Sequence, residues 1–219
     1  MRYLMCFALA TLLHAPAWAH DHSDDVGFTI KLYPSLVRVP GYPVYYDPHA
    51  PSNYFFYDGL YWVFQGDNWY QSPWYNGPWH AVRPIYVPEY VLRVPVRYYR
   101  YPPGYFHGWR ADAPPRWGDH WGNEWEQQRK GWNEWNRKSV PPPAPLPRYQ
   151  RNYSGDHYPA PPQQYAIRSE KYGYQPREAL TRQQWQAADE SHDPKEHGHR
   201  HGDDDYGDDR GNGRDKHDD

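Results

Sequence analysis

Between residues 53 and 82 apolar and turn-forming positions follow one another with strand spacing, and most of the apolar positions are aromatic. Asn53 to Tyr57 reads NYFFY and Leu60 to Phe64 reads LYWVF, with Asp58-Gly59 between them. Two β-prone runs around Asp-Gly predict a hairpin. Gly66-Asp67-Asn68 predicts a second turn, Trp69-Tyr70 opens the next strand, and Trp79 to Val82 suits a fourth. Alternate residues of such strands point to opposite faces. Both faces here are aromatic, so one is expected in the core and the other covered or used as a contact surface.

The flanks extend this picture. Val26 to Tyr33 (VGFTIKLY) predicts a strand, and Val44-Tyr45-Tyr46 a weak edge pairing. Pro84 to Pro95 leaves room for one helical turn after Pro88. Over 116–138, at about 100° per residue, Trp117, Trp121, Trp125, Trp132 and Trp135 fall within about 80° of one another, the mark of an amphipathic helix. Gly118, Gly122 and Gly131 weaken it by roughly 1 kcal/mol each relative to alanine, so it depends on docking its indole stripe on the sheet. Residues 139–148, with the run PPPAPLP, read as a polyproline linker. Residues 149–219 have no sustained apolar period and read as mostly disordered, with a short helix over 177–190. The expected fold class is therefore α+β: a small aromatic-rich antiparallel β meander plus one amphipathic Trp-rich helix over 26–138, with a long disordered C-terminal region.

Composition supports a small core rather than one domain filling the chain. Of 219 residues, 25 are proline and 17 glycine, and aromatics make up 19%. Residues 1–19 have the form of a secretory signal: Arg2, an apolar run from Tyr3 to Leu13, then Ala17-Trp18-Ala19. Residues 20–25 would follow as a polar arm. The apolar run is too short to span a bilayer, and no other run is long enough, so no transmembrane segment is expected in the mature chain. Cys6 is the only cysteine and lies inside that signal, so the exported chain has neither disulfides nor thiolate metal sites.

Two histidine tracts suggest metal chemistry. Cleavage after Ala19 would leave His20-Asp21-His22 at a free amine, where the amine, two amides and the His22 imidazole make a square-planar set for Cu or Ni. The second tract alternates His197, His199 and His201 ahead of Asp203-Asp204-Asp205, donors that suit Zn, Ni or Cu. It lies in residues 189–219, where twelve acidic residues face five basic ones, a net of −7. The spacing is not that of a structural zinc site.

Catalytic signals are weak. Asp58, Asp67, Glu89, Asp112 and Glu124 offer carboxylates for acid–base work, but no spacing selects a pair. No nucleophile elbow, phosphate loop or dinucleotide fingerprint occurs. The chain is expected not to be an enzyme. A nucleic-acid role is not expected either, because the body ahead of the acidic end is only mildly basic and an exported chain does not meet that partner.

The most distinctive stretch is Trp69 to Val82, WYQSPWYNGPWHAV, in which two units of two aromatics, a polar residue, a small residue and proline follow one another. Trp74-Tyr75-Asn76-Gly77-Pro78-Trp79 fits W-x-x-G-x-W, and with Tyr57-Asp58-Gly59-Leu60-Tyr61-Trp62 it resembles the YXWGXW/WXXGXW-repeat proteins of bacteria. Only one copy matches fully. The resemblance implies an exported protein, periplasmic or secreted, and carries no catalytic residues. Residues Trp62, Trp69, Trp74 and Trp79 form the candidate ligand face, since indole rings stack on sugars and also suit a protein partner. The expected function is an envelope module contacting glycan or an envelope protein; the alternative is divalent-metal binding through His20, His22, His197, His199 and His201.

Overall fold

The structure, a computed structural model, describes residues 29–190. Six antiparallel strands form one sheet in chain order: β1 Val37–Arg38, β2 Tyr45–Tyr46, β3 Asn53–Tyr57, β4 Leu60–Gln65, β5 Asn68–Ser72 and β6 His80–Val82. The Asp58-Gly59 hairpin closes as expected, with Tyr57 opposite Leu60 and Asn53 opposite Phe64. Asp58 and Gly59 both take positive φ, the conformation this tight turn requires. The second turn has Gln65 opposite Asn68 and brings Asp67 to φ 65°.

The strand period divides the sheet's side chains between two cores. Phe55, Tyr57, Leu60, Trp62, Phe64 and Trp69 bury on one face, against Leu92, Tyr99, Phe106, Trp117 and Trp125. Tyr54, Phe56, Tyr61 and Val63 bury on the other, with Ile30, Tyr75, Trp79 and Ala144. Every residue of β3 is buried, so this is a sheet covered on both sides. That arrangement accounts for aromatics at consecutive positions: each face needs its own filling, and rings are the large apolar groups this composition supplies.

The first cover is α1 Glu89–Leu92 and α2 Trp117–Gln128 with their connecting turns. Helix α1 is the single turn expected after Pro88. Helix α2 departs from the expected 116–138 helix: it bends at Gly122 (φ 83°, ψ 176°) and ends at Gln128, so Trp132 and Trp135 follow on later turns. The indole stripe still docks. Trp117, Trp125 and Trp132 are buried while Trp121 and Trp135 stay partly exposed. Arg129 anchors the helix end, its guanidinium donating to the carbonyls of Ile85 (2.8 Å) and Val87 (2.9 Å).

Three sequence expectations are corrected. Thr29 to Tyr33, the described part of the expected strand Val26–Tyr33, is not a strand; the Ile30 amide donates to Asn76 Oδ1 (2.6 Å) instead of to a neighbouring strand. Strand β2 is not an edge, because β1 pairs outside it. The largest correction concerns 139–187, expected as linker and disordered tail. The proline run carries buried Ala144 over the second face. Helices α3 Pro161–Lys171 and α4 Ala179–Glu190 follow, with Trp185 in the first core. These segments lack an apolar period because they are held by side chains bonding to backbone across the fold. Tyr172 OH donates to the Pro145 carbonyl (2.6 Å) and Arg177 to that of Pro142 (3.0 Å). The expected short helix within 177–190 is α4. The signal, the polar arm and residues 191–219 lie outside the described residues.

Candidate functional site

The expected ligand face does not form. Trp62, Trp69 and Trp74 have no exposed surface and Trp79 has 6%. Trp62 and Trp69 fill the first core, Trp79 packs edge-on against Tyr54 in the second, and Trp74 sits among Tyr149, Tyr153 and Tyr158. The physical reason is the two-sided cover: with chain folded over both faces, no face of the meander remains for a ligand.

The W-x-x-G-x-W stretch instead receives the C-terminal half. Trp74 Nε1 donates to the Gln164 carbonyl (3.2 Å), and Tyr75 OH to that of Tyr153 (2.5 Å). The Asn76 amide donates to Tyr158 OH, which donates onward to the Gly77 carbonyl (2.7 Å). Gln164 Nε2 also reaches that carbonyl (3.1 Å). Beneath lies fully buried Gln150: its Oε1 accepts from Tyr61 OH (3.0 Å) and the Tyr75 amide (3.3 Å), and its Nε2 donates to the Pro73 carbonyl (3.0 Å). An amide side chain with both ends satisfied is stable in such a place; a half-satisfied one is not.

The five candidate carboxylates are dispersed. Asp58 is buried in its turn, where it accepts from Tyr174 OH (2.6 Å) and from the amides of Arg177 and Glu178, fastening the start of α4. Glu89 pairs with Arg93 just past the end of α1, and its amide donates to Glu178 Oε1 (3.2 Å). Burial raises the Glu178 carboxyl above its ordinary range, while a hydrogen bond from Tyr57 OH (2.8 Å) opposes that rise. Asp112 pairs with Arg110 on the surface, and Glu124 accepts from Gln128.

Asp67 is different. Its carboxylate stands half-exposed at the β4–β5 turn and accepts from Tyr105 OH (2.7 Å). His120 Nε2 lies 2.8 and 3.0 Å from its two oxygens, and since an ionised carboxylate only accepts, Nε2 carries the proton. The rings of Tyr105 and His120 stack at 3.8 Å and 8°. Burial pushes the Tyr105 hydroxyl well up and the bond to Asp67 adds to this, so it remains a donor. Trp109 adjoins Tyr105 at 5.7 Å, and Trp121 adjoins His120 at 5.9 Å. Both indoles rest on the core, Trp109 stacked on Phe106 (4.6 Å) and Trp121 on Trp117 (4.3 Å, 6°). The result is a contiguous row, Trp109–Tyr105–His120–Trp121, partly exposed along its length and backed by buried rings, with one carboxylate beside its centre.

Sequence reasoning named Asp67 and Trp121 but missed Tyr105, Trp109 and His120. Their signal was the spacing of Tyr105 and Trp109, four apart in a turn-rich stretch, and a histidine beside a stripe tryptophan. Neither means much until the β4–β5 turn is known to lie alongside. The expected metal ligands His20, His22, His197, His199 and His201 lie outside the described residues. Among the described residues no group of three or more His, Asp, Glu or Cys is placed to hold a metal ion, and no helix is long and apolar enough to cross a membrane. No protein-family model, curated protein or solved structure matches the chain.

Proposed function

We propose that the protein is an exported, non-enzymatic binding module of the bacterial envelope, periplasmic or secreted, that contacts glycan through the row Trp109–Tyr105–His120–Trp121. The observation that carries this reading is the contrast between that row and the meander. The tryptophans of the meander are consumed by packing, whereas these rings are fixed from behind and still present surface. Rings held in place lose little entropy when a sugar stacks on them. Asp67 beside them can accept hydrogen bonds from hydroxyls. The signal-like residues 1–19 support export. The engagement of Asp58, Glu89 and Asp112 in structural contacts supports a binding role over hydrolysis.

The test is retention on soluble polysaccharides by affinity electrophoresis. Trp109→Ala and Trp121→Ala are each expected to weaken retention about tenfold, the loss of one stacking contact. Tyr165→Ala, at an exposed ring on α3, is expected to leave it unchanged. Undiminished retention by both tryptophan variants would remove the row from consideration.

A further inference from the structure

Resting on that reading, the charge and tilt of the same surface identify the kind of glycan. The guanidiniums beside the row and the imidazole within it are already engaged. Arg110 Nη2 meets Asp112 at 3.0 Å, Arg116 pairs with Asp119 at the start of α2, and His120 pairs with Asp67. Arg97 has its guanidinium against the Ala111 carbonyl (3.2 Å) and close enough to Asp112 to favour that carboxylate's charged form. Three carboxylates thus face three guanidiniums and one imidazole. An incoming carboxylate or sulfate would have to displace one of these pairs and would approach Asp67 directly, a like-charge contact. An uncharged sugar displaces nothing.

Ring orientation narrows the class further. Tyr105 and Trp109 are inclined at 65°, and His120 and Trp121 at 54°. Rings so inclined cannot all lie flat on a planar crystalline face, but they can follow a single chain whose successive sugars turn relative to one another. Asp67 then has a defined part. Its oxygens take Tyr105 OH and His120 Nε2, and a carboxylate offers about four lone-pair positions, so outward-facing sites remain for hydroxyl donors.

We infer that the surface binds single, soluble chains of an uncharged pyranose polymer, with Asp67 as the acceptor of sugar hydroxyls between the flanking indoles. The experiment uses the full chain and four probes: soluble β-glucan, chito-oligosaccharide, polygalacturonate and microcrystalline cellulose. Calorimetry is expected to show one of the two uncharged soluble probes binding at least about tenfold tighter than polygalacturonate. No retention is expected on the crystalline solid. Asp67→Asn, which keeps the shape and tolerates the left-handed turn, is expected to weaken binding of the uncharged probe about tenfold, with near-ultraviolet dichroism unchanged. Preference for polygalacturonate, or retention on microcrystalline cellulose that Trp121→Ala abolishes, would overturn the inference while leaving the glycan reading in place. Binding of none of the four would overturn both. If Asp67→Asn alters the dichroism, the order of affinities among the four probes decides the question.

Discussion

Cζ3 of Trp185 lies 2.8 Å from where a Cβ on Gly59 would stand. The β3–β4 hairpin and the last described helix therefore meet at a glycine, and the residue that makes the turn also makes room for the indole. Arg168 lies over that indole, 4.1 Å from the ring centroid, and burial lowers its guanidinium to about 10. Gly59→Ala meets two penalties: a left-handed φ of +91°, about 1–2 kcal/mol, and overpacking against Trp185, about 1–3 kcal/mol. Urea unfolding should show a loss of about 2–5 kcal/mol. Gly66→Ala, at φ +56° with open space around it, should lose only the backbone part, about 1–2 kcal/mol. Equal losses at the two sites would mean that Trp185 does not press on the turn.

Gln150 is a second joint. Replacing it with leucine keeps the approximate volume but strips the buried Tyr61 hydroxyl and Tyr75 amide, and the partly buried Pro73 carbonyl, of their partner. Each abandoned buried group costs about 1–3 kcal/mol, with partial relief as neighbours shift. Gln150→Leu should lower the unfolding free energy by about 2–4 kcal/mol in urea titration. A change below about 0.5 kcal/mol would show that water replaces the amide without penalty.

Alkaline behaviour follows from the buried phenols. Burial raises Tyr54, Tyr61 and Tyr99 well above the ordinary value of 10.0. Unfolded, they ionise near that value; folded, they stay protonated beyond it. The folded state thus binds more protons above pH 10, and stability falls as pH rises. The contribution of these groups is intact below about pH 10 and is lost as pH climbs through the raised folded values. Tyrosinate absorbance should show an exposed class titrating first and a second class appearing only with unfolding, followed by dichroism in the same samples. A single smooth titration with the fold retained would contradict this burial.

Ending the chain after Lys138 tests the second cover. The truncation removes Ala144, Leu146, Gln150 and Tyr158 from the face carrying Tyr54, Phe56, Tyr61 and Val63. The fragment is expected to bind a hydrophobic dye and to lose the cooperative melt of the full chain, because a sheet face left bare is an association surface. A cooperative melt with the full chain's near-ultraviolet spectrum would restore 26–138 as an independent domain.

What the sequence determined by itself was local. Asp58-Gly59 set a hairpin because the turn's positive φ favours those residues, Pro88 started one helical turn, and the indole stripe from Trp117 to Trp135 announced a docked face. Each signal depends on residues a few positions apart. Only the tertiary structure decided which aromatics would be buried. Trp62 and Trp69 are interior because α1, α2 and their turns cover the first face, and Trp74 and Trp79 because residues 139–187 return over the second, held by bonds such as Tyr158 OH to the Gly77 carbonyl and Gln150 to Tyr61. Such bonds join a side chain to a remote backbone or side-chain group and leave no period along the chain. The row beside Asp67 is hidden from sequence for the same reason: Asp67, Tyr105 and His120 come from three separate stretches, and the folded sheet with its covering helices sets them side by side.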